Sequence, residues 1–496
     1  MAARVAIVGA GYAGLACAVE LADAGIKVEV FEASRTLGGR ARAVELDGMS
    51  VDNGAHILVG AYRETLRLMN KVGAGETALK RHPLHLEFPG QVKVAAPNLP
   101  APLHLGWALL TAQGLSFREK LAAIRFMRAQ QARRFRLPAD LPAATFLAGQ
   151  PERLRRFLWE PLCLAALNTP VAAASAQVFL NVLRDSLAAN RAASDLLLPA
   201  TDFSSLFPEP AAGYIEAHGG QVHRSARIAS LDELDRFDNF DHRVLAVAPY
   251  HLAPLAPGIA ARFPFSWQPI ATCYLAYPAN SGMALLPFPM IGLDPAEGHA
   301  QWVFDRGALC GQPGLLAAVI SGAGPWQELG HDELAASIHA QIAALLPGLP
   351  PPRKTWVIEE KRATFACTPG LARPPTATAI PNVWLAGDYV AGDYPATIEG
   401  AVRSGIAAAR ALFVSQGYRH TTVDEIAEAA KLTKGAVYFY FRNKEALLSS
   451  LLDRVEIYPI EDEQPRFLAF LNREHDILDE TPFAFIHQVL PGGKLA

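Results

Sequence analysis

The stretch from Arg4 to Ser34, RVAIVGAGYAGLACAVELADAGIKVEVFEAS, decides the fold. Arg4 to Val8 form an apolar run that stops at glycine, the pattern of a short buried strand. Gly9, Gly11 and Gly14 then turn the chain into a helix predicted from about Gly14 to Ala24. Lys27 to Phe31 read as the next parallel strand, and Glu32 closes it. The first glycine permits the sharp turn, the second lets backbone N–H groups approach a pyrophosphate, and the third lets helix and strand pack closely. Tyr12 and Ala13 complete that loop and count with the glycines as cofactor-binding residues. Glu32 lies about 20 residues downstream, where a carboxylate accepts the hydroxyls of a ribose. Strand, turn, helix, second strand and acid together make a dinucleotide-binding unit.

Which dinucleotide it takes is read from segments further out. Gly38-Gly39-Arg40-Ala41-Arg42 resembles the segment that flavoproteins of the amine oxidase and phytoene desaturase superfamily lay along the FAD pyrophosphate. Arg40 has the planar fork for phosphate oxygens. At the far end, Asn382 to Leu385 read as a buried strand leading into Gly387-Asp388, and Pro395-Ala396-Thr397-Ile398 opens a helix. In that superfamily the Gly-Asp aspartate meets the ribityl chain or pyrophosphate. The helix N-terminus there faces the flavin pyrimidine ring, where its dipole stabilises negative charge. Asp52-Asn53-Gly54-Ala55-His56 follows a short hairpin and is expected to return to the flavin. Gly219 to Ile228 looks like a strand pair that re-enters the nucleotide module; in that superfamily backbone there contacts adenine, which the resemblance assigns to Ile228.

The chain has 496 residues, room for about two or three domains. Hydrophobic residues make up 51% and charged residues 19%, which suits an α/β protein with an apolar cavity. The net charge of −3 gives no global pull toward nucleic acid. Cys17, Cys163, Cys273, Cys310 and Cys367 show no CxxC or metal-ligand spacing, so no metal is expected and they read as buried thiols in a reducing, cytoplasmic compartment. With the first strand starting at Arg4, no cleavable leader is expected, and no apolar run is long enough to cross a bilayer.

The expected architecture is α/β. A discontinuous Rossmann-like FAD-binding domain is built from residues 1–80, 200–243 and 353–412. A substrate domain, a sheet with a helical cap, takes residues 81–199 and 244–352. A short α-helical helix-turn-helix fragment occupies 413–455, and 456–496 form a tail. Leu103 to Leu198 read as largely helical, whereas Ile270 to Ala276 and Leu315 to Ser321 read as strands. Between Phe117 and Arg136 seven basic residues interleave with Leu121, Ile124, Phe126 and Met127, and Glu119 is the one acid. Two readings fit this stretch: a basic amphipathic helix on anionic headgroups, or a solvated helix covering the cap.

Residues 1 to about 412 resemble hydroxysqualene dehydroxylase, also called squalene-associated FAD-dependent desaturase. The resemblance runs through Asp52 to Met69, Leu158 to Pro170, Ala174 to Phe179, Val182 to Ser186 and Ser194 to Pro199. It implies an FAD enzyme of squalene and hopanoid biosynthesis acting on an apolar C30 isoprenoid. The implied reaction removes an allylic hydroxyl from hydroxysqualene, with hydride from reduced flavin quenching an allylic cation. Such a substrate favours peripheral contact with the inner face of the membrane. The catalytic residues are not assigned; Glu160, Asp185 and His56 are the candidate proton donors, and Lys361 and Arg362 either line the cavity or form a strand-surface pair. No second GxGxxG follows a strand, because Gly73-Ala74-Gly75 and Gly322-Ala323-Gly324 lack the third glycine. The electron donor is therefore unidentified: a diffusing nicotinamide, a reductase or a quinone. A phytoene-type desaturase is the alternative enzyme.

Beyond the last flavin helix the pattern changes. Thr422 and Glu425 form a capping box, and Thr433 to Tyr440 resemble the recognition helix of tetracycline-repressor-type regulators over about 410–452. That resemblance implies DNA contacts by Lys434, Tyr438 and Lys444. Too little chain follows for the dimerising domain of such regulators, so DNA binding is not the main expectation and a fused fragment is.

Overall fold

The computed structural model describes residues 3–75, 78–234, 236–278 and 284–420. Of the predicted helix-turn-helix fragment at 413–455, residues 421–455 lie outside the described residues, as does the tail at 456–496. The chain divides into two compact units, Met1–Ala408 and Ala409–Ala496.

In the first unit a five-stranded parallel sheet has the order Gln221–His223, Lys27–Phe31, Arg4–Val8, His242–Leu245, Val383–Leu385. Arg4–Val8 (β1) sits at its centre, and Val5, Ala6 and Ile7 are fully buried, as a strand covered on both faces requires. Helix α1 (Tyr12–Asp23) follows and buries Leu15 to Val19 completely. It starts two residues before the expected Gly14, because Gly11 itself takes the extended N-cap conformation. Gly219 to Ile228 contributes one strand, Gln221–His223, rather than the expected pair; Ser225 and Ala226 turn away to donate to Ser34 O at 3.0 Å and Glu32 O at 2.8 Å. The strand His242–Leu245 continues two residues past the expected domain boundary at 243.

A second, antiparallel sheet has the order Met290–Gly292, Trp302–Asp305, Leu315–Ser321, Trp267–Ala276, Lys354–Phe365. The sequence places Lys354–Phe365 in the cofactor-binding domain at 353–412. It pairs instead with Trp267–Ala276 from Trp267 opposite Phe365 to Ala276 opposite Lys354, a long ladder that satisfies its backbone here. Only Val383–Leu385 returns to the parallel sheet.

The cap is helical, as expected: Leu103–Leu110, Phe117–Ala132, Glu160–Leu167 and Ala176–Val182 are α-helices. Arg155–Trp159 and Leu183–Leu187 are single π-helical turns within it, a feature often found beside functional sites. Phe126, Phe157, Trp159 and Phe179 of the cap share one apolar cluster with Tyr274, Trp302 and Phe304 of the antiparallel sheet and Val8 and Phe31 of the parallel sheet. Among the described residues no helix is long and apolar enough to cross a membrane.

Candidate functional site

The glycine loop leaves room on one side only. Gly9 has φ +107°, and a side chain there would meet the Ala246 carbonyl oxygen at 2.7 Å. A Cβ on Gly14 would fall 2.0 Å from the Gly9 oxygen. On Gly11, by contrast, its nearest neighbour would be the Gly39 Cα at 3.9 Å. Gly38 N donates to Ala10 O at 2.9 Å, and Gly11 forms a parallel bridge with Gly38, so the two glycine-rich segments lie side by side. With glycine at the N-cap, no side chain covers the first-turn N–H groups of Tyr12, Ala13 and Gly14. This is a cradle for an anion against bare backbone, and it fits a dinucleotide pyrophosphate.

Glu32 borders the cradle. Its carboxylate accepts from Ala10 N and from Ser34 N, both at 2.8 Å. Each oxygen keeps a lone pair for a ribose hydroxyl. Ile228, buried, lies just past Ser225 and Ala226, which hold the chain against Ser34 and Glu32.

Arg40 does not stand free for phosphate. Its Nη2 donates to Asp388 Oδ1 at 2.6 Å and its Nη1 to Ala363 O at 2.8 Å. Burial alone would lower the Arg40 pKa, but the Asp388 carboxylate, with Tyr250 and Glu360 adding to it, turns the net shift upward. Gly387 N donates to Ser404 Oγ at 2.7 Å, which ties the Gly-Asp turn to the helix Ile398–His420.

Ala396 has φ +57°, a conformation that L-residues rarely adopt, and its N–H donates to Asp388 O at 3.1 Å. The Thr397 hydroxyl accepts from Gly400 N and donates to Tyr394 O, both at 2.9 Å, so Thr397 starts the helix. A Cβ on Gly405 would fall 2.1 Å from Ala13 O; this helix and the first turn of α1 meet backbone to backbone. Glu399, fully buried, accepts from Thr65 N at 3.0 Å, Thr65 Oγ1 at 2.7 Å and Arg403 Nε at 2.7 Å. It thereby caps the helix Arg63–Lys71 from a segment remote in sequence.

The Asp52 to His56 segment is anchored by residues that the sequence did not mark. Asp52 accepts from Phe203 N at 2.8 Å and from Arg306 Nη1 at 3.1 Å, and both side chains of the ion pair are almost wholly buried. Burial pushes the Asp52 pKa up to about 6, with Arg306 and the Phe203 N–H pulling the other way. Ala55 N, next to Gly54, donates to Thr272 Oγ1 at 3.4 Å. His56 Nδ1 contacts Gly54 O, its ring centroid lies 5.0 Å from that of Phe203, and burial lowers its pKa.

The candidate proton donors separate. Asp185 accepts from Arg184 at 2.8 and 2.6 Å and from the Tyr394 hydroxyl. Burial would raise its pKa, but these hydrogen bonds hold it below the usual carboxylate range. Asp185 is thus kept ionised and His56 neutral, and neither is a ready acid at neutral pH. Glu160 is half-exposed, with Arg155 Nη1 at 4.0 Å. Lys361 and Arg362 are exposed on Lys354–Phe365, and the Arg362 guanidinium stacks 4.0 Å from the Tyr250 ring centre, a strand-surface arrangement. Among the described residues no group of His, Cys, Asp and Glu is placed to hold a metal ion.

A model of the flavin containing amine oxidoreductase family matches residues 12–413. A model of bacterial regulatory proteins of the tetR family matches residues 406–451. A hydroxysqualene dehydroxylase from Rhodopseudomonas palustris (strain ATCC BAA-98 / CGA009) is 30% identical over 442 residues, covering 82% of this chain and 98% of its own. A zeta-carotene desaturase from Synechocystis sp. (strain ATCC 27184 / PCC 6803 / Kazusa) is 26% identical over 485 residues, covering 85% and 99%. An oxidoreductase from Methanosarcina mazei shares the fold, with a TM-score of 0.62 at 16% identity, covering 82% of this chain and 99% of that one. The chain belongs to the flavin-containing amine oxidoreductase family and is a flavin-dependent oxidoreductase.

Proposed function

We propose that the flavin is FAD and that the enzyme removes the allylic hydroxyl of hydroxysqualene to give squalene. The observation that carries the substrate half is likeness to a hydroxysqualene dehydroxylase along 98% of that protein's length, cap included. Glu32 supports the FAD half: its carboxylate borders the glycine loop with lone pairs to spare, and FMN has no adenosine ribose to meet it. Gly9, Gly11, Tyr12, Ala13, Gly14 and Gly39 would hold the pyrophosphate; Asp388, with Arg40 behind it, would face the ribityl side. Gly54, Ala55 and His56 would line one face, and Ala396, Thr397 and Ile398 would present the helix N-terminus. When bound and reduced, the flavin supplies a hydride.

The protein's own tasks are to seat an apolar chain, exclude water and let the hydroxyl leave as water with one added proton. The buried aromatic cluster of Phe157, Trp159 and Phe179 would back such a dry site. An anaerobic single turnover tests the reading. Pre-reduced protein mixed with hydroxysqualene should yield squalene and oxidised flavin. If only oxidised protein acts, and on a polyene precursor, the desaturase reading favoured by the Synechocystis likeness replaces it.

A further inference from the structure

Two neighbouring cap helices expose the wrong residues for a solvated surface. On Leu103–Leu110, the side chains of Leu103, Trp107 and Leu110 recur at i, i+4 and i+7 and are 61%, 52% and 59% exposed. The adjoining face is anchored: Ala108 is buried, and His104 pairs with Ser194 Oγ at 3.2 Å. On Phe117–Ala132, Phe117 is 74% and Ile124 37% exposed on one stripe, while Ala123, Phe126 and Gln130 face inward. Lys120 Nζ donates to Leu110 O at 2.7 Å and joins the two helices, so both apolar stripes belong to one surface.

Positive charge runs along the second helix and past its C-terminal end. Arg118, Arg125, Arg128, Arg133, Arg134 and Arg136 are all exposed. The one acid among them, Glu119, is occupied by Ser116 N at 2.7 Å and Ser116 Oγ at 2.8 Å in a capping box. The whole chain carries −3, so its overall charge does not draw it to an anionic surface; the attraction is local. An indole and aliphatic side chains next to a helix lined with guanidinium groups match an interface in which apolar groups enter the acyl boundary and cations meet phosphate headgroups.

We propose that Leu103–Leu110 and Phe117–Ala132 dock the enzyme on an anionic lipid bilayer, with Leu103, Trp107, Leu110 and Phe117 inserted and Arg125 and Arg128 on headgroups. The docking does not depend on which isoprenoid is the substrate, since it is read without substrate.

The test is co-sedimentation of the full-length holoprotein with vesicles of phosphatidylcholine alone or mixed with phosphatidylglycerol. The mixed vesicles should bind at least about tenfold more tightly, and the difference should shrink as salt rises. The double variants Trp107→Ser/Leu110→Ser and Arg125→Gln/Arg128→Gln should each lose about tenfold in vesicle affinity, with flavin absorbance and turnover of detergent-dispersed substrate retained. Equal binding to both vesicle types, or variants that bind like the parent, would overturn the proposal. So would a concentration-dependent dimer in sedimentation velocity that Trp107→Ser/Leu110→Ser abolishes while vesicle binding persists; that result would assign the surface to a second copy of the chain.

Discussion

Arg40 and Asp388, 348 positions apart in the sequence, are joined by a 2.6 Å hydrogen-bonded ion pair. The Arg40 side chain is 25% exposed and that of Asp388 8%, so removal of either partner strands a largely desolvated charge. Arg40→Ala and Asp388→Ala should each weaken flavin binding by about tenfold to a hundredfold, while Asp388→Asn, which keeps an acceptor, should lose less than about tenfold. Fluorescence titration of apoprotein with FAD measures this. Affinities unchanged in all three variants would remove the pair from the cofactor site.

Gly11 and Gly14 should fail in different ways. A methyl group on Gly14 collides with the Gly9 carbonyl at 2.0 Å, so Gly14→Ala must displace backbone and should destabilise the folded protein by more than about 2 kcal/mol. A methyl on Gly11 meets only Gly39 Cα at 3.9 Å and otherwise points into open space. Gly11→Ala should therefore melt within about 1 kcal/mol of the parent as apoprotein, yet bind FAD at least about tenfold more weakly. Apoprotein melting and FAD titration, run on both variants, separate packing from ligand approach; equal behaviour would mean that no ligand backs onto Gly11.

Ala396 holds φ +57°, which costs an L-residue about 1 kcal/mol relative to glycine. Ala396→Gly should raise stability by up to about 1 kcal/mol, reduced by the extra freedom of glycine in the unfolded chain, and Ala396→Val should lower it. Denaturant unfolding gives both signs. A destabilising glycine would mean that the methyl group packs in a way that outweighs the strain.

The elements that sequence reading found first are the local ones. Glycine spacing between two apolar strands states its own geometry, so β1, α1 and Lys27–Phe31 could be placed from about thirty consecutive residues. Partners at long range leave no such trace. The pattern of Lys354–Phe365 marks a strand but not its neighbour, and the sheet it joins is set by Trp267–Ala276, far upstream. Arg40 and Asp388 each stood out singly, yet nothing local says that they bind one another before they bind a ligand. Arg306 sits in an unremarkable Asp-Arg-Gly run, and its burial against Asp52 exists only in three dimensions. Periodicity reports how deeply a side chain is buried and is silent on what it meets there.

His56 gives a pH signature with a definite sign. Burial lowers its folded-state pKa below the unfolded value near 6.5, so below that pH the unfolded chain binds the extra proton more readily. Stability is lost as pH falls through the window between the unfolded and folded values. In His56→Gln this contribution is absent. Melting temperature between pH 7 and pH 5 should accordingly fall more steeply in the parent than in His56→Gln, on the order of one proton's linkage. Parallel slopes would mean that His56 titrates alike in both states.

Asp185 separates positioning from proton transfer. Its carboxylate binds Arg184 and the hydroxyl of Tyr394, two residues before the strained Ala396, and the π-helical turn Leu183–Leu187 delivers it there. The hydrogen bonds hold it ionised despite burial, so it has no proton to give a departing hydroxyl at neutral pH. Its role is then to fix the Tyr394 to Thr397 turn that opens the helix Ile398–His420. Asp185→Asn should weaken FAD binding by about threefold to tenfold and leave the shape of the pH profile of turnover unchanged once FAD is saturating. Asp185→Glu, which keeps charge and acceptor, should recover part of the affinity. A profile that loses its basic limb in Asp185→Asn at saturating FAD would make this carboxyl the acid and reverse the assignment.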